Sequence, residues 1–158
     1  MVKARRFIAD VFNKKIIVCS CYANPLTMGH IQYFKDAKEY AKYLYVILNN
    51  DFQVKLKGSI PFQTLEERMK IVSSIKYVYA VIPSIDFDLS VAETLRSVRP
   101  DYFFNSGDRT LGNCNQKEQE VCKELGIHVV YKQRPKIQSS SNLIENAAKE
   151  WLRRNKSK

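Results

Sequence analysis

The sequence has no apolar run that approaches the roughly 20 residues needed for a membrane-spanning helix. It has only four cysteines, and no two of them are separated by the two-residue gap of a zinc knuckle. The basic amino terminus is followed by an apolar stretch too short and too interrupted for a signal peptide. From these absences we expect no membrane span, no zinc module and no secretory leader. We therefore expect a cytoplasmic protein that has no membrane partner.

Internal repeats and low-complexity linkers are also absent from the 158 residues, which is a length typical of one domain with its own core. With 45% hydrophobic and 11% aromatic residues, the composition is that of a globular protein and not of a disordered one. In the cytoplasm the cysteines should be reduced thiols. Cys19 and Cys21 lie two apart on a predicted strand, so they face the same way but cannot bridge each other without distortion.

Acidic residues are few, 16 against 26 lysines and arginines, which gives a formal net charge of +10. Much of the positive charge lies near the two ends, at Lys3, Arg5, Arg6, Lys14, Lys15, Lys149, Arg153, Arg154, Lys156 and Lys158. We predict a basic extension at 1–14, a domain at 15–154 and a basic tail at 155–158. Basic arms can bind nucleic acid or remain solvated, and a positive field also attracts an anionic small substrate. No RNA- or DNA-binding module is recognisable, so we do not expect a nucleic-acid partner.

Apolar runs and amphipathic segments alternate along the chain. Strands are predicted at about 15–21, 43–48, 79–83, 101–105 and 127–131. Helices are predicted at about 28–42, 65–75, 89–96, 117–125 and 141–154, and residues 54–58 are interpreted as a basic loop. Thr64 with Glu67 predicts a capping box, and Gly126 predicts a helix end. The alternation predicts an α/β, Rossmann-like, doubly wound five-stranded parallel sheet in a single domain, with its site at the carboxyl ends of the strands.

The first predicted strand, turn and helix form a candidate phosphate site. The β-branched run Ile16-Ile17-Val18 leads into a turn at Asn24-Pro25, and Thr27 is a candidate helix cap. The amides of the first helical turn and the positive end of the helix dipole would face an anion there. Gly29 would allow close approach of the backbone, and His30 would add an imidazole donor.

The chain resembles the cytidylyltransferase-like nucleotidyltransferases in several motifs that occur in the same order over roughly residues 15 to 146. Their first signature, Gly-x-Phe-Asp-Pro-x-His/Thr-x-Gly-His, is matched at Asn24, Pro25, Thr27, Gly29 and His30. The other motifs are Asn49-Asn50-Asp51, Val54-Lys55-Leu56-Lys57-Gly58, Glu66-Glu67-Arg68, Ser106-Gly107-Asp108-Arg109 and Ser139-Ser140-Ser141-Asn142-Leu143-Ile144. Cys21 and Ala23 depart from the signature, in place of a glycine and a large aromatic residue, and either change could alter the substrate or weaken an enzyme.

The resemblance implies a nucleotidyltransferase that transfers CMP or AMP from CTP or ATP to a polyol- or sugar-phosphate and releases pyrophosphate. It also implies a homodimer, with Mg²⁺ bound to the nucleoside triphosphate and no metal site made by the protein. The alternative is a catalytically silent nucleotide- or RNA-binding protein with the same fold. The pattern is closest to glycerol-phosphate cytidylyltransferases and heptose-phosphate adenylyltransferases, and it does not decide between CTP and ATP.

The resemblance also assigns residue roles. The catalytic residues would be His30, Thr27, Lys55 and Lys57. The nucleotide would contact Tyr22, Ala23, Asn24, Gly29, Gly107, Asp108, Arg109, Ser139, Ser140 and Ser141.

Each assignment has a purely structural alternative. His30 could be only a cap or surface residue, the two lysines a solvated turn, and the serine run a plain helix cap. Arg109 could form a structural salt bridge, and Arg68 could pair with Glu66 or Glu67. We interpret His128, inside an apolar run, as a core residue.

Overall fold

The computed structural model describes residues 15–107, 109–110, 112–135 and 137–155, which form a five-stranded sheet and six helices. The strands are β1 Ile16–Cys21, β2 Tyr43–Leu48, β3 Ala80–Pro83, β4 Tyr102–Gly107 and β5 His128–Gln133. Their spatial order is β3-β2-β1-β4-β5, and every pair is parallel. The predicted doubly wound parallel sheet is confirmed. The order reverses at β1, so the crevice between β1 and β4 is the topological switch point.

Helices pack on both faces of this sheet. They are α1 Met28–Lys38, α2 Asp51–Leu56, α3 Leu65–Ser73, α4 Ala92–Val98, α5 Gln116–Leu125 and α6 Ser140–Asn155. Because side chains alternate along β1, Ile17 joins Phe34 of α1 in one core and Val18 joins Leu95 of α4 in the other. Cys19 and Cys21 both lie in the first of these cores, on the same side of the strand.

Helix α2 corrects the prediction of a basic loop at residues 54–58. Asn50 caps the helix, since its side-chain oxygen accepts the backbone N–H of Gln53 at 2.9 Å. The Gln53 side chain returns a bond to the backbone N–H of Asn50 at 3.1 Å. This is a capping box built from two amides, and it starts the helix before the lysines. Lys55 is therefore helical and exposed, and Lys57 forms the carboxyl-terminal cap.

Other predicted boundaries differ by a few residues. Helix α1 ends at Lys38 and not near residue 42, because the backbone N–H groups of Glu39 and Tyr40 turn to carbonyls three residues back. Helix α4 begins only at Ala92, since residues 84–91 form an irregular loop that bends at residues 87–89. The capping box of Thr64 and Glu67 and the end of α5 at Gly126, whose φ is +69°, are confirmed.

His128 is not a core residue, which corrects that interpretation. It is the first residue of β5, it is exposed, and its ring centroid lies 5.8 Å from that of Tyr102. His128 is exposed because it lies at the start of the strand, although apolar residues surround it in the sequence. Within the described part of the chain no helix has the length and apolar character of a bilayer span. The predicted basic extension 1–14 lies outside the described residues, and so does the predicted tail 155–158 except for Asn155, which ends α6.

Candidate active site

A cavity of about 660 Å³ opens at the carboxyl ends of the strands, at the switch point of the sheet. Its floor is formed by the turn after β1 and the start of α1. On one side, the β4–β5 half is lined by Ser106, Gly107, Arg109, Arg134, Gln138 and Ser139–Ser141. On the other side, the β2–β3 half is lined by Asn49, Lys57, Ser59, Ile60, Phe62 and Leu89. The cavity therefore lies where α/β folds of this kind bind ligands.

His30 stands on the floor between the two halves. Its Nδ1 accepts the backbone N–H of Thr27 at 3.0 Å and lies 2.9 Å from the Thr27 hydroxyl. Because Nδ1 is an acceptor, the neutral ring carries its proton on Nε2. Burial and, to a lesser extent, the positive charge of Lys57 together lower the pKa of His30 from its usual 6.5 to about 4. At neutral pH the ring is an uncharged donor, oriented by the helix cap.

Gly29 is the residue that lets the loop before α6 reach the start of α1. A Cβ atom at this position would lie 2.9 Å from the backbone oxygen of Gln138. The same loop is also bound through side chains, since Gln138 Oε1 accepts the Met28 backbone N–H at 3.4 Å and the Ser140 hydroxyl donates to the Pro25 carbonyl at 2.7 Å. The requirement for glycine comes from this close backbone approach, and it fixes the serine run beside the floor.

Ser139, Ser140 and Ser141 all line the cavity at the beginning of α6, a helix of 16 residues. Helix starts carry backbone N–H groups that are not bonded within the helix, and they lie at the positive end of the helix dipole. The structure therefore brings together the hydroxyls and the helix start that the sequence predicted, within the same cavity as His30.

The two predicted lysines differ in position. Lys57 lines the cavity, with its Nζ 4.3 Å from the ring centroid of Tyr22, which also lines it. Lys55 is exposed on α2 and is not among the lining residues. Of the two predicted lysines, Lys57 therefore lies at the site and Lys55 does not.

Arg109 extends over the β4–β5 half and pairs with a buried acid. Its Nη1 lies 3.7 Å from Oε2 of Glu118, a side chain only 4% exposed. The other carboxylate oxygen of Glu118 accepts the Val91 backbone N–H at 3.0 Å. Burial raises the pKa of Glu118, and the positive charge of Arg109 opposes that rise. Arg109 therefore forms a salt bridge, as the structural alternative predicted, and it also lines the cavity.

A second arginine, Arg134, enters the same half from the end of β5. Its Nε lies 2.6 Å from one carboxylate oxygen of Asp36, and its Nη2 lies 2.9 Å from the other. Asp36 is 1% exposed and also pairs with Lys132 Nζ at 3.2 Å. A guanidinium bound at two points by a buried carboxylate has a fixed orientation. No local sequence pattern indicates this pair, because its members are 98 residues apart.

Arg68 is structural and lies beneath the floor, 1% exposed. Its Nη1 donates to the carbonyls of Tyr22 at 2.6 Å and Asn49 at 2.9 Å, and its Nη2 pairs with Asp51 at 2.6 Å. The alternative of an ion pair with Glu66 or Glu67 is wrong, because helix α3 turns this side chain inward to the ends of β1 and β2. One guanidinium thereby holds two strand exits together.

The remaining predicted residues fall in different places. Asn24 lines the cavity and binds the next loop, donating to the Ile60 carbonyl at 2.8 Å and accepting the Phe62 N–H at 2.9 Å. Ala23 is 1% exposed in the core, with φ +44°. Gly107 lines the cavity with φ +80°. Asp108 lies outside the described residues.

Comparisons with known proteins agree with this geometry. A family model described as cytidylyltransferase-like matches residues 18–149. Over 130 residues the chain is 32% identical to "Bifunctional protein HldE" of Blochmanniella floridana, an alignment that covers 81% of this chain and 26% of that protein. Over 105 residues it is 30% identical to the FAD synthase of Pyrococcus abyssi, covering 66% of this chain and 69% of that protein.

A solved structure, the lipopolysaccharide core biosynthesis protein from Thermoplasma volcanium GSS1, superposes with a TM-score of 0.65 at 25% identity. The match covers 78% of this chain and 98% of that one. By contrast, the chain spans about a quarter of the length of the bifunctional protein, so the similarity concerns one part of that relative.

Proposed function

The chain belongs to the cytidylyltransferase-like family, and from this premise we propose that it transfers CMP or AMP from CTP or ATP to a phosphorylated small molecule. An oxygen of the acceptor phosphate would attack the α-phosphorus and form a new P–O bond. The bond from the α-phosphorus to the oxygen that bridges to the β-phosphorus would break, and pyrophosphate would leave with that electron pair. The attacking phosphate is already an anion, so the step needs positioning and charge stabilisation more than a base.

The β4–β5 half is the place we propose for the nucleotide. Arg109 and Arg134 supply positive charge, and Ser139–Ser141 supply hydroxyls and the start of a long helix. A triphosphate is the ligand that uses all of these groups at once. The observation that carries this proposal is the convergence of the oriented His30 donor, the serine run and two arginines on one cavity.

His30 would donate from Nε2 to the transferring phosphate or to the leaving pyrophosphate. Its neutral state suits this task, because an uncharged, capped imidazole keeps one proton in a fixed direction over a wide pH range. Thr27 would contribute its hydroxyl and also hold the ring. Lys57, on the opposite half, would bind the acceptor phosphate as a mobile point charge.

Magnesium is part of the proposal as a companion of the triphosphate, whose charge it would neutralise. The described residues contain no group of three or more His, Cys, Asp and Glu side chains that could hold a metal ion. The donor set therefore fits a metal carried by the nucleotide better than one held by a protein cage. A homodimeric state and a cytoplasmic location also belong to the proposal, and they rest on the family resemblance.

The first experiment is thermal stabilisation by CTP and by ATP, each with magnesium. A nucleotide present at a hundred times its Kd adds about 2.7 kcal/mol to the stability of the folded state. A shift of the melting temperature with one nucleotide identifies the donor. If neither nucleotide shifts it, the proposal fails and the silent, nucleic-acid-associated alternative gains support.

Two substitutions of His30 then test its role. His30→Asn keeps an acceptor for the Thr27 N–H but has no group at the Nε2 position, whereas His30→Gln places an amide near it. We expect turnover to fall on the order of a hundredfold or more in the first variant, and less in the second. His128→Asn, at the exposed start of β5, is the matched control and should keep native turnover. Equal turnover in all three variants would remove His30 from the mechanism.

A further inference from the structure

The segment that follows β3 is built with its polar side chains inward and its apolar side chains outward. Ser84, Asp86 and Ser90 are buried, whereas Ile85, Phe87 and Leu89 are 55%, 80% and 50% exposed. This is the reverse of what water favours for a surface loop. Large apolar side chains held outward beside a cavity are typical of a surface that contacts a ligand or a partner.

Buried hydrogen bonds fix this reversed orientation. The side-chain amide of Asn50 donates to the carbonyls of Ser84 and Asp86 at 3.0 and 2.9 Å. The amide of Gln53 donates to those of Asp88 and Ser90, both at 2.7 Å. Rotating the segment to bury its apolar side would leave the amides of Asn50 and of the fully buried Gln53 unpaired, at a cost comparable to the loss of each hydrogen bond.

The loop on the other side of α2 presents apolar side chains in the same way. Asn24 binds the backbone of Ile60 and Phe62 through both ends of its amide. The side chains of these two residues are 72% and 51% exposed. Ile60, Phe62 and Leu89, which we call the apolar rim, all line the cavity that contains His30 and Lys57.

The position of Lys57 decides what would cover the rim. Ile60 follows Lys57 by three residues, so their Cα atoms are at most about 11 Å apart. A phosphate bound at Lys57 therefore has its organic group within reach of the rim, inside the same cavity. A polyol or sugar would leave its hydroxyls against apolar side chains at this place, which costs binding energy, whereas an apolar group gains it.

We infer that the acceptor is a phosphomonoester whose organic part is largely apolar, and that Ile60, Phe62 and Leu89 select it. The inference rests on the proposed function, since it names the acceptor of that transfer. It replaces the polyol- or sugar-phosphate that the sequence pattern suggests. The ligand consists of a phosphate, attracted by Lys57, and an apolar group that covers the rim.

Binding measurements test this without requiring turnover. Calorimetric titrations would use 1-naphthyl phosphate for a flat ring, n-octyl phosphate for a flexible chain, and glycerol 3-phosphate and inorganic phosphate as polar references. We expect at least one apolar ester to bind about tenfold or more tightly than glycerol 3-phosphate, since each buried methylene favours binding roughly fourfold. The two apolar esters distinguish a ring from a chain.

A matched pair of variants places the preference on the rim. Leu89→Ser and Ile85→Ser lie on the same outward face with similar exposure, but only Leu89 lines the cavity. Leu89→Ser should weaken the apolar ester about tenfold and leave glycerol 3-phosphate nearly unchanged, and Ile85→Ser should alter neither by more than about twofold. Nucleotide-dependent melting shifts, measured on the same samples, should stay native in both variants.

Three results would overturn the inference. One is that protein which still binds nucleotide binds apolar and polar esters equally, or binds neither. That result would leave the proposed transfer intact. Another is an apolar preference that Leu89→Ser does not reduce. The third is a native dimer, seen by sedimentation, that Leu89→Ser and Ile85→Ser both dissociate, which would assign the rim to a second copy of the chain. Loss of nucleotide binding in native protein would instead contradict the proposed function itself.

Discussion

The two halves of the cavity differ in chemistry and in how they are held. The β4–β5 half presents guanidinium groups, hydroxyls and a helix start, and its backbone is held by a close approach at Gly29. The β2–β3 half presents Lys57 beside an apolar rim, held by the side-chain amides of Asn24, Asn50 and Gln53. A triphosphate is common to CTP and ATP, whereas acceptors vary. Under the proposed function, the first half would therefore bind a constant group and the second a variable one.

Arg68 lies beneath both halves of the cavity, and Arg68→Ala should have the largest effect on the free energy of unfolding. It would leave the carbonyls of Tyr22 and Asn49 and the Asp51 carboxylate without their charged donor, at a cost of about 3–5 kcal/mol in the free energy of unfolding for the three lost hydrogen bonds. Urea unfolding measures this. Arg96→Ala, which removes an exposed ion pair with Glu124, is the control and should cost less than about 1 kcal/mol.

A loss below 1 kcal/mol in Arg68→Ala would show that the strand exits do not depend on this guanidinium. If Arg68→Ala does not fold, Arg68→Lys keeps a charge near Asp51 while it loses the planar fork that reaches both carbonyls. An intermediate stability for that variant is the expected result.

His30, between the halves, should give the next largest effect, and it depends on pH. Its pKa is about 4 in the folded protein and 6.5 when unperturbed, so the unfolded chain binds the proton more readily between these values. The free energy of unfolding should therefore rise by about 3 kcal/mol as pH increases from 4 to 6.5.

Urea unfolding at several pH values checks this. In His30→Asn the rise should be smaller by that amount, while His128→Asn should keep it, because His128 is exposed at the start of β5. An identical rise in native protein and in His30→Asn would mean that the imidazole is not held neutral by its surroundings.

Particular residues show how much of the fold and of the candidate site could be predicted from the sequence. The strand, turn and helix around Thr27, and the capping box at Thr64, follow from local periodicity and side-chain chemistry, so they were predictable. Helix α2 was missed because two amides, Asn50 and Gln53, form its box in a stretch that lysines and a glycine make look like a loop. The pair of Asp36 and Arg134 could not be found, since only the closed sheet brings α1 and the end of β5 together.

The outward orientation of the apolar side chains after β3, which include Leu89 of the apolar rim, was missed for a related reason. Ile85, Phe87 and Leu89 alternate with polar residues, which is the period of a half-buried strand, and the pattern alone favours apolar side chains inward. The structure reverses this orientation, because the side-chain amides of Asn50 and Gln53 donate to the backbone carbonyls of the alternate residues. Long-range hydrogen bonds thus decide which side of the segment faces solvent, and the local sequence pattern does not indicate these bonds.

Gly29→Ala should affect ligand binding in one half of the cavity and not in the other, with a moderate loss of stability. The added methyl would push the Gln138 carbonyl away, at about 1–2 kcal/mol of stability, since a helical alanine recovers part of the overpacking cost. We expect weaker nucleotide binding with little change in the binding of 1-naphthyl phosphate. Melting shifts and calorimetry measure the two.

Gly112→Ala is the matched control, because its Cβ would lie 3.9 Å from the Thr110 hydroxyl, an ordinary contact. It should be close to native in stability and in both binding assays. If Gly29→Ala weakens both ligands equally, the halves are not independent and the comparison fails.

Lys57→Ala and Lys55→Ala should have the smallest effects and sharpen the assignment of the acceptor phosphate. Lys57 lines the cavity beside Tyr22, and its loss should weaken every phosphomonoester about tenfold, apolar or polar, because the phosphate is their shared group. Lys55, two residues away on the exposed side of α2, should change binding by less than about twofold, since solvent and salt screen its charge. Calorimetry with inorganic phosphate alone suffices. If the two lysines contribute equally, phosphate attraction is a property of the whole basic segment, and the apolar rim would then carry all of the selectivity in this half.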